Sequence, residues 1–143
     1  MRFFIFNLAL IGFQLLFSNL ERFNHYRELP VDAGLLIYFV ISSLIFYAFY
    51  LLVPANIAFA VDRGGWGRRL CVAVGLAVAA VLIGFLVVRA GGMGDVTTGG
   101  TVMIKDGVPQ LPYHIYNVAM TLLSYFSAAG LTGWLRPTRG AEA

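Results

Sequence analysis

The sequence predicts an all-α integral membrane protein, a bundle of four transmembrane helices with a short extracytoplasmic β-hairpin between helices 3 and 4. Four long apolar runs fill most of the 143 residues, and each is about 18 residues or longer, enough to cross ~30 Å of hydrocarbon. Hydrophobic residues make up 59% of the chain and charged residues 12%, whereas a soluble domain carries about 25% charged residues. The charged residues also lie between the apolar runs and not in their middles.

We expect a single transmembrane domain, because four crossings with short connections leave no room for a separate soluble domain. The first apolar run follows Met1-Arg2 as in a signal peptide, but no small-x-small cleavage site precedes Glu21, and we expect the run to be retained. The predicted units are the transmembrane domain 1–135 with helices at about 3–28, 34–60, 69–89 and 113–135, the glycine-rich extracytoplasmic hairpin loop 90–112, and a disordered cytoplasmic tail 136–143.

The basic residues predict the orientation in the membrane. With four spans, both termini and the second loop share one side, which carries six basic residues against four on the other side. The positive-inside rule then places the N- and C-termini in the cytoplasm of a multi-pass cell-membrane protein, in the inner membrane if the source is bacterial. The six are Arg2, Arg63, Arg68, Arg69, Arg136 and Arg139, and the four are Arg22, Arg27, Arg89 and Lys105.

Helix 1 carries a polar face. Asn7, Gln14, Ser18, Glu21 and His25 follow one another at steps of seven, four, three and four residues, which keeps them on one side of a helix. An unpaired amide in hydrocarbon costs several kcal/mol, so we expect this face to bond to a neighbouring helix of the same bundle. A polar cavity or a contact with another subunit is the alternative.

Helix 2 is rich in aromatic residues, and Tyr38 and Tyr50 are expected near opposite membrane interfaces. Its apolar run continues past Pro54, which removes one backbone hydrogen bond. Pro54 therefore marks either a bend or the start of an interfacial segment.

Helix 3 consists almost entirely of valine, leucine, alanine and glycine. Ala73, Ala77, Ala80 and Gly84 recur at steps of four, three and four, and such a stripe of small residues lets helices approach closely. We expect the stripe to pack inside the monomer, with a seam to a second copy or a partner subunit as the alternative. Cys71, the single cysteine, is expected to pack as a small hydrophobic residue.

The loop after helix 3 predicts the hairpin. Thr101–Ile104 has the composition of a short strand, Asp106-Gly107 is a strong turn signal, and Val108–Leu111 returns, weakened by Pro109. Because a lone hairpin is marginally stable in water, we expect it to rest on the outer face of the bundle or on a partner.

Helix 4 opens after Pro112 and repeats the pattern of helix 1. His114, Asn117, Thr121 and Ser124 follow at steps of three, four and three. The partner-facing or helix-packing residues predicted for the whole chain are Asn7, Gln14, Ser18, Ala73, Ala77, Ala80, Gly84, Asn117, Thr121 and Ser124.

The polar faces of helices 1 and 4 lead to the same membrane surface, where Glu21, His25 and His114 supply the three ligands of a catalytic zinc or the groups of a proton relay. These are the only metal candidates, and the stronger expectation is no metal, no cofactor and no catalytic residue. No ionisable residue lies in the middle of a span, which disfavours an ion-coupled transporter.

The pattern favours a structural or accessory subunit of a larger membrane assembly over an enzyme. The expected partners are membrane lipids and other membrane subunits or copies of the chain itself. Nucleic acid is excluded as a partner, because the chain has one lysine, Lys105, and no basic stripe. The alternative is a small homo-oligomeric carrier or flippase for a lipid-linked or apolar substrate, with helices 1 and 4 lining its path and helix 3 forming a dimer seam.

Overall fold

The computed structural model describes residues 1–25, 32–62 and 65–134, with the side chains of 19–25 and 134 excepted. This part of the chain is mostly helical. It contains four helices and one small antiparallel sheet. The helices are α1 (Arg2–His25), α2 (Ala33–Val61), α3 (Trp66–Ala90) and α4 (Leu111–Trp134), and the strands are β1 (Val96–Thr98), β2 (Thr101–Lys105) and β3 (Val108–Pro109).

Helix α2 runs through Pro54 without a break. Its N-cap is Asp32, whose carboxylate accepts a hydrogen bond of 2.8 Å from the backbone N–H of Leu35. Its middle, Tyr47–Leu51, is a π-helical turn that ends three residues before the proline. Proline lacks an N–H and its ring crowds the carbonyl four residues earlier, and a wider turn at this place accommodates both effects. The helix therefore continues past Pro54 to Val61 as one element, and the interfacial alternative stays untested.

Two helices begin earlier than the sequence predicts. Helix α3 starts at Trp66, because Gly65 adopts a φ of +97° that only glycine takes readily and so turns the chain directly into the helix. Helix α4 starts at Leu111 and has Pro112 in its first turn. Proline is tolerated there because the first N–H groups of a helix have no partner within it.

The sheet has the order β1-β2-β3, with antiparallel pairs throughout. The predicted hairpin around Asp106-Gly107 is present, and β1 is an additional strand that the sequence analysis missed. Two-residue turns with positive φ at both positions join the strands, at Gly99-Gly100 and at Asp106-Gly107, the backbone that a tight hairpin needs. Ile104 and Pro109 are buried and anchor the sheet against the end of α3 and the start of α4.

Neighbouring helices pack antiparallel. Helix α4 contacts α1 on one side and α3 on the other, and α2 contacts α1 and α3. Near the start of α1, Phe6 stacks on Phe59 of α2 with ring centroids 4.0 Å apart and meets Tyr125 of α4 edge-on. The guanidinium carbon of Arg2 lies over the ring of Phe59, 4.5 Å from its centroid. Aromatic packing of this kind joins three helices at the end of the bundle that holds the N-terminus.

The outer surface of the helices is apolar. Helices α2 and α3 are long and apolar enough to cross a membrane, and most of their large apolar side chains are exposed, including Val53, Leu82 and Leu86. Within the described residues, α1 contributes only the shorter apolar stretch Arg2–Ser18. The prediction of membrane-spanning helices is therefore supported for two of the four.

Candidate functional site

A buried hydrogen-bond chain joins α1 to α4. The side-chain amide of Gln14 donates to Ser18 Oγ at 2.7 Å, and its carbonyl oxygen accepts from Ser124 Oγ at 3.0 Å. All three side chains are almost fully buried. The polar faces of the two helices therefore meet inside the chain, and Gln14 has both a donor and an acceptor as partners.

A second polar cluster joins α1 to α2. Asn7 and Asn56 exchange reciprocal amide hydrogen bonds of 2.8 and 2.9 Å, and the Tyr47 hydroxyl donates to Asn7 Oδ1 at 2.7 Å. Each amide also donates to the backbone carbonyl four residues earlier in its own helix. The π-helical turn that contains Tyr47 thus contributes directly to this contact.

A third cluster lies where α2, α3 and α4 meet. The hydroxyls of Tyr50 and Tyr113 are 2.9 Å apart, and Asn117 Nδ2 donates to the Tyr50 hydroxyl at 3.3 Å. Gly84 of α3 lies against this cluster. A Cβ there would come within 3.2 Å of Asn117 Nδ2 and of Tyr113 Cε1. Tyr50 is buried among these groups, and its expected place near a membrane interface stays a prediction.

The small-residue stripe of α3 turns toward the interior of the chain. Ala80 and Gly84 are buried, and Ala73 and Ala77 are half-buried. On α4 the hydroxyl of Thr121 is buried and has no hydrogen-bond partner within the described residues. Packing at Gly84 explains the close approach of α3 to α4.

The predicted metal ligands do not form a described site. The side chains of Glu21 and His25 lie outside the described residues. His114 is half-buried beside Tyr113, and its Nδ1 has no hydrogen-bond partner in the described part of the chain. No group of three metal-binding side chains occurs among the described residues, so the three-ligand hypothesis stays a prediction.

An apolar groove of about 430 Å³ separates the second half of α2 from the first half of α3. Gly75 lies in it and would accept a Cβ without meeting any atom within 4 Å. Cys71 also borders the groove and is exposed, and the expectation that it packs as a small hydrophobic residue stays a prediction. The groove is lined by Val53, Pro54, Ile57, Ala58, Val61, Cys71, Val72, Gly75, Leu76 and Ala79.

Four residues of these contacts were missed by the sequence analysis: Tyr47, Tyr50, Asn56 and Tyr113. Asn56 carried a usable signal, because an amide in a long apolar run needs a partner as much as Asn7 does. The tyrosines carried none, since an amphipathic ring fits an interface and a buried hydrogen bond equally well. Comparison with protein-family models, with curated proteins and with solved structures finds no match to this chain.

Proposed function

We propose that this chain is a four-span integral membrane protein that serves as a structural or accessory subunit of a larger membrane assembly. Both termini and the loop between α2 and α3 face the cytoplasm, and the three-stranded sheet lies on the opposite side. The apolar outer surface of α2 and α3 supports the location, because a surface of this extent needs lipid or protein to cover it.

The observation that supports the accessory role is that the buried polar side chains hydrogen-bond to one another within the chain. Gln14 is 1% exposed and Asn117 is 3% exposed, and each hydrogen-bonds to a partner from another helix of the same chain. Side chains arranged in this way hold the bundle together. The surface left for binding is the apolar outside, which suits contact with lipid and with helices of other subunits.

Co-purification tests this role. The tagged chain is extracted in a mild detergent, and everything that accompanies it is weighed by native mass spectrometry. We expect other membrane chains in a fixed ratio, and loss of them in a harsh detergent that strips subunits while α1–α4 stay folded by circular dichroism. A bare homo-oligomer from both detergents would contradict the accessory role.

Fusions test the orientation independently. Alkaline phosphatase is active only outside the cytoplasm, so we expect an active fusion after Gly94, in the loop before β1, and an inactive one after Ala143. The cytoplasmic prediction rests partly on Arg63, Arg136 and Arg139, which lie outside the described residues. An active fusion at Ala143 would reverse the orientation.

The second candidate is a homo-oligomeric carrier or flippase for a lipid-linked or apolar substrate, and the groove between α2 and α3 is the observation that favours it. In a carrier the buried amides would line the path during the transport cycle. Gln14→Leu and Asn117→Leu would then abolish transport of a fluorescent phospholipid across vesicles. Thr132→Val is the control, because within the described residues the Thr132 hydroxyl bonds only to the carbonyl of Ala128 in its own helix. Equal activity of all three variants would rule out this function.

A further inference from the structure

The groove between α2 and α3 has the dimensions of one membrane leaflet. Along α3 it extends from Cys71 to Ala79, eight residues, or about 12 Å at 1.5 Å per residue. Half of a hydrocarbon core of ~30 Å is about 15 Å. The groove therefore matches the depth of the acyl chains of a single leaflet, the one on the side of Arg68.

A basic residue lies on the groove's face of α3, one turn before the groove begins. Arg68, Val72, Gly75 and Ala79 follow at steps of four, three and four, so they share one face of α3, and the last three line the groove. Arg68 is exposed, one helical turn before Val72. Trp66, 93% exposed, lies two residues earlier, and exposed tryptophan is typical of the headgroup region.

The closest described carboxylate in the sequence is engaged elsewhere. Asp62, at the end of α2, accepts a hydrogen bond of 3.2 Å from the hydroxyl of Tyr125 on α4. Arg68 is the exposed basic residue on the groove's face of α3, and an anionic group is its electrostatic complement.

The geometry points to a binding site for one anionic phospholipid of the cytoplasmic leaflet, with its phosphate at Arg68 and an acyl chain in the groove. This inference rests on the membrane location and orientation proposed above. A second helix fits the groove poorly, because a helix is about 10 Å wide and contacts its neighbour across the whole membrane. The groove is confined to one leaflet. Its apolar lining fits an acyl chain, and the positive charge beside it attracts the phosphate of the same lipid.

The test uses the full-length chain purified in dodecyl maltoside and incubated with equal amounts of dioleoyl phosphatidylglycerol and dioleoyl phosphatidylcholine. Native mass spectrometry then counts the lipids that each chain retains. We expect one retained phosphatidylglycerol per chain in clear preference to phosphatidylcholine. Equal retention of the two lipids by the unmodified chain would overturn the inference.

Two pairs of variants separate the headgroup contact from the acyl-chain contact. Arg68→Gln should lower the preference for phosphatidylglycerol about fivefold, the effect of one basic residue at a membrane surface. Arg69→Gln is the control, since Arg69 carries the same charge about 100° around the helix. Gly75→Leu fills the groove and should abolish retention of both lipids, while Gly130→Leu on α4, where a Cβ also meets nothing within 4 Å, should retain them.

Equal effects of the two arginine variants, or equal retention by the two leucine variants, would also overturn the inference. The result is independent of the accessory role. Retained phosphatidylglycerol without partner chains contradicts only that role, whereas partner chains without lipid preference contradict only the lipid site. A chain that stays soluble without detergent would overturn the membrane location and the lipid site together.

Discussion

The sharpest prediction concerns Gly84, the point where α3 touches both α2 and α4. Substitution by alanine adds a Cβ that would lie 3.2 Å from Asn117 Nδ2, 3.2 Å from Tyr113 Cε1 and 3.4 Å from the Tyr50 hydroxyl. Favourable contacts between heavy atoms lie at about 3.5–4.0 Å. The three groups also hold one another by hydrogen bonds, so none of them can move away alone.

The magnitude follows from two opposing effects. Alanine in place of glycine inside a helix stabilises by about 1 kcal/mol through helix propensity, and overpacking a filled contact costs about 1–3 kcal/mol. Gly75→Ala on the same helix shows the first effect alone, because its Cβ would meet nothing within 4 Å. We therefore expect Gly84→Ala to be about 1–3 kcal/mol less stable than Gly75→Ala.

The free energy of unfolding is measured by titrating sodium dodecyl sulfate into the protein in bicelles and following helix content by circular dichroism. Gly84→Val, with two more methyl groups in the same space, should fall below Gly84→Ala. A Gly84→Ala variant as stable as Gly75→Ala would refute the close contact of α3 with Asn117 and Tyr113.

Three further predictions concern the amide pair, the sheet and the groove. Asn7→Leu should lower the free energy of unfolding by about 1–2 kcal/mol, because Asn56 loses its hydrogen-bond donor. The double variant with Asn56→Leu should lose less than the sum of the two single changes, and additive losses in the same titration would contradict the pair. Gly100→Val places a branched residue at a φ of +79°, a strain of about 1–2 kcal/mol. The variant should therefore show faster amide hydrogen exchange in β1 and β2, and unchanged exchange would argue against the turn. Cys71 should react with a membrane-permeant maleimide, and the reaction should be several-fold slower in the Gly75→Leu variant, because the leucine fills the groove that both residues line. Equal reaction rates in the two proteins would show that Cys71 lies outside the groove.

The helices were predictable because run length and rise per residue are general properties of a chain in hydrocarbon. The first and last residues of the helices were harder to predict, because they depend on single residues. Gly65 and Pro112 were interpreted as loop residues, yet one caps α3 and the other occupies the first turn of α4. Strand β1 was missed although Gly99-Gly100 carries the same two-residue turn signal as Asp106-Gly107.

The sequence could predict which side of a helix carries the polar residues, but not which neighbouring helix each of them contacts. Spacing placed Asn7 and Gln14 on one side of helix 1, but Asn7 pairs with α2 and Gln14 with α4. Residues seven apart on a helix differ by about 20° in direction and by about 10 Å in depth. Which neighbour each one meets depends on how the other helices cross at that depth, and the sequence of helix 1 contains no information about that.

The four helices are held together by side-chain hydrogen bonds and by the packing of small residues. This difference determines which helix contacts a bound ligand can stabilise. Hydrogen bonds between side chains join α1 to α4 through Gln14 and α1 to α2 through Asn7. Helix α3 has no polar side chain between Leu70 and Val88, and its interior contact is the packing of small residues around Gly84. In the membrane location proposed above, an apolar side chain gains little by leaving lipid for protein, so such a contact depends on close packing alone. The stability of α3 against α2 should therefore depend on what fills the groove beside Gly75, while the hydrogen-bonded contacts of α1 should not.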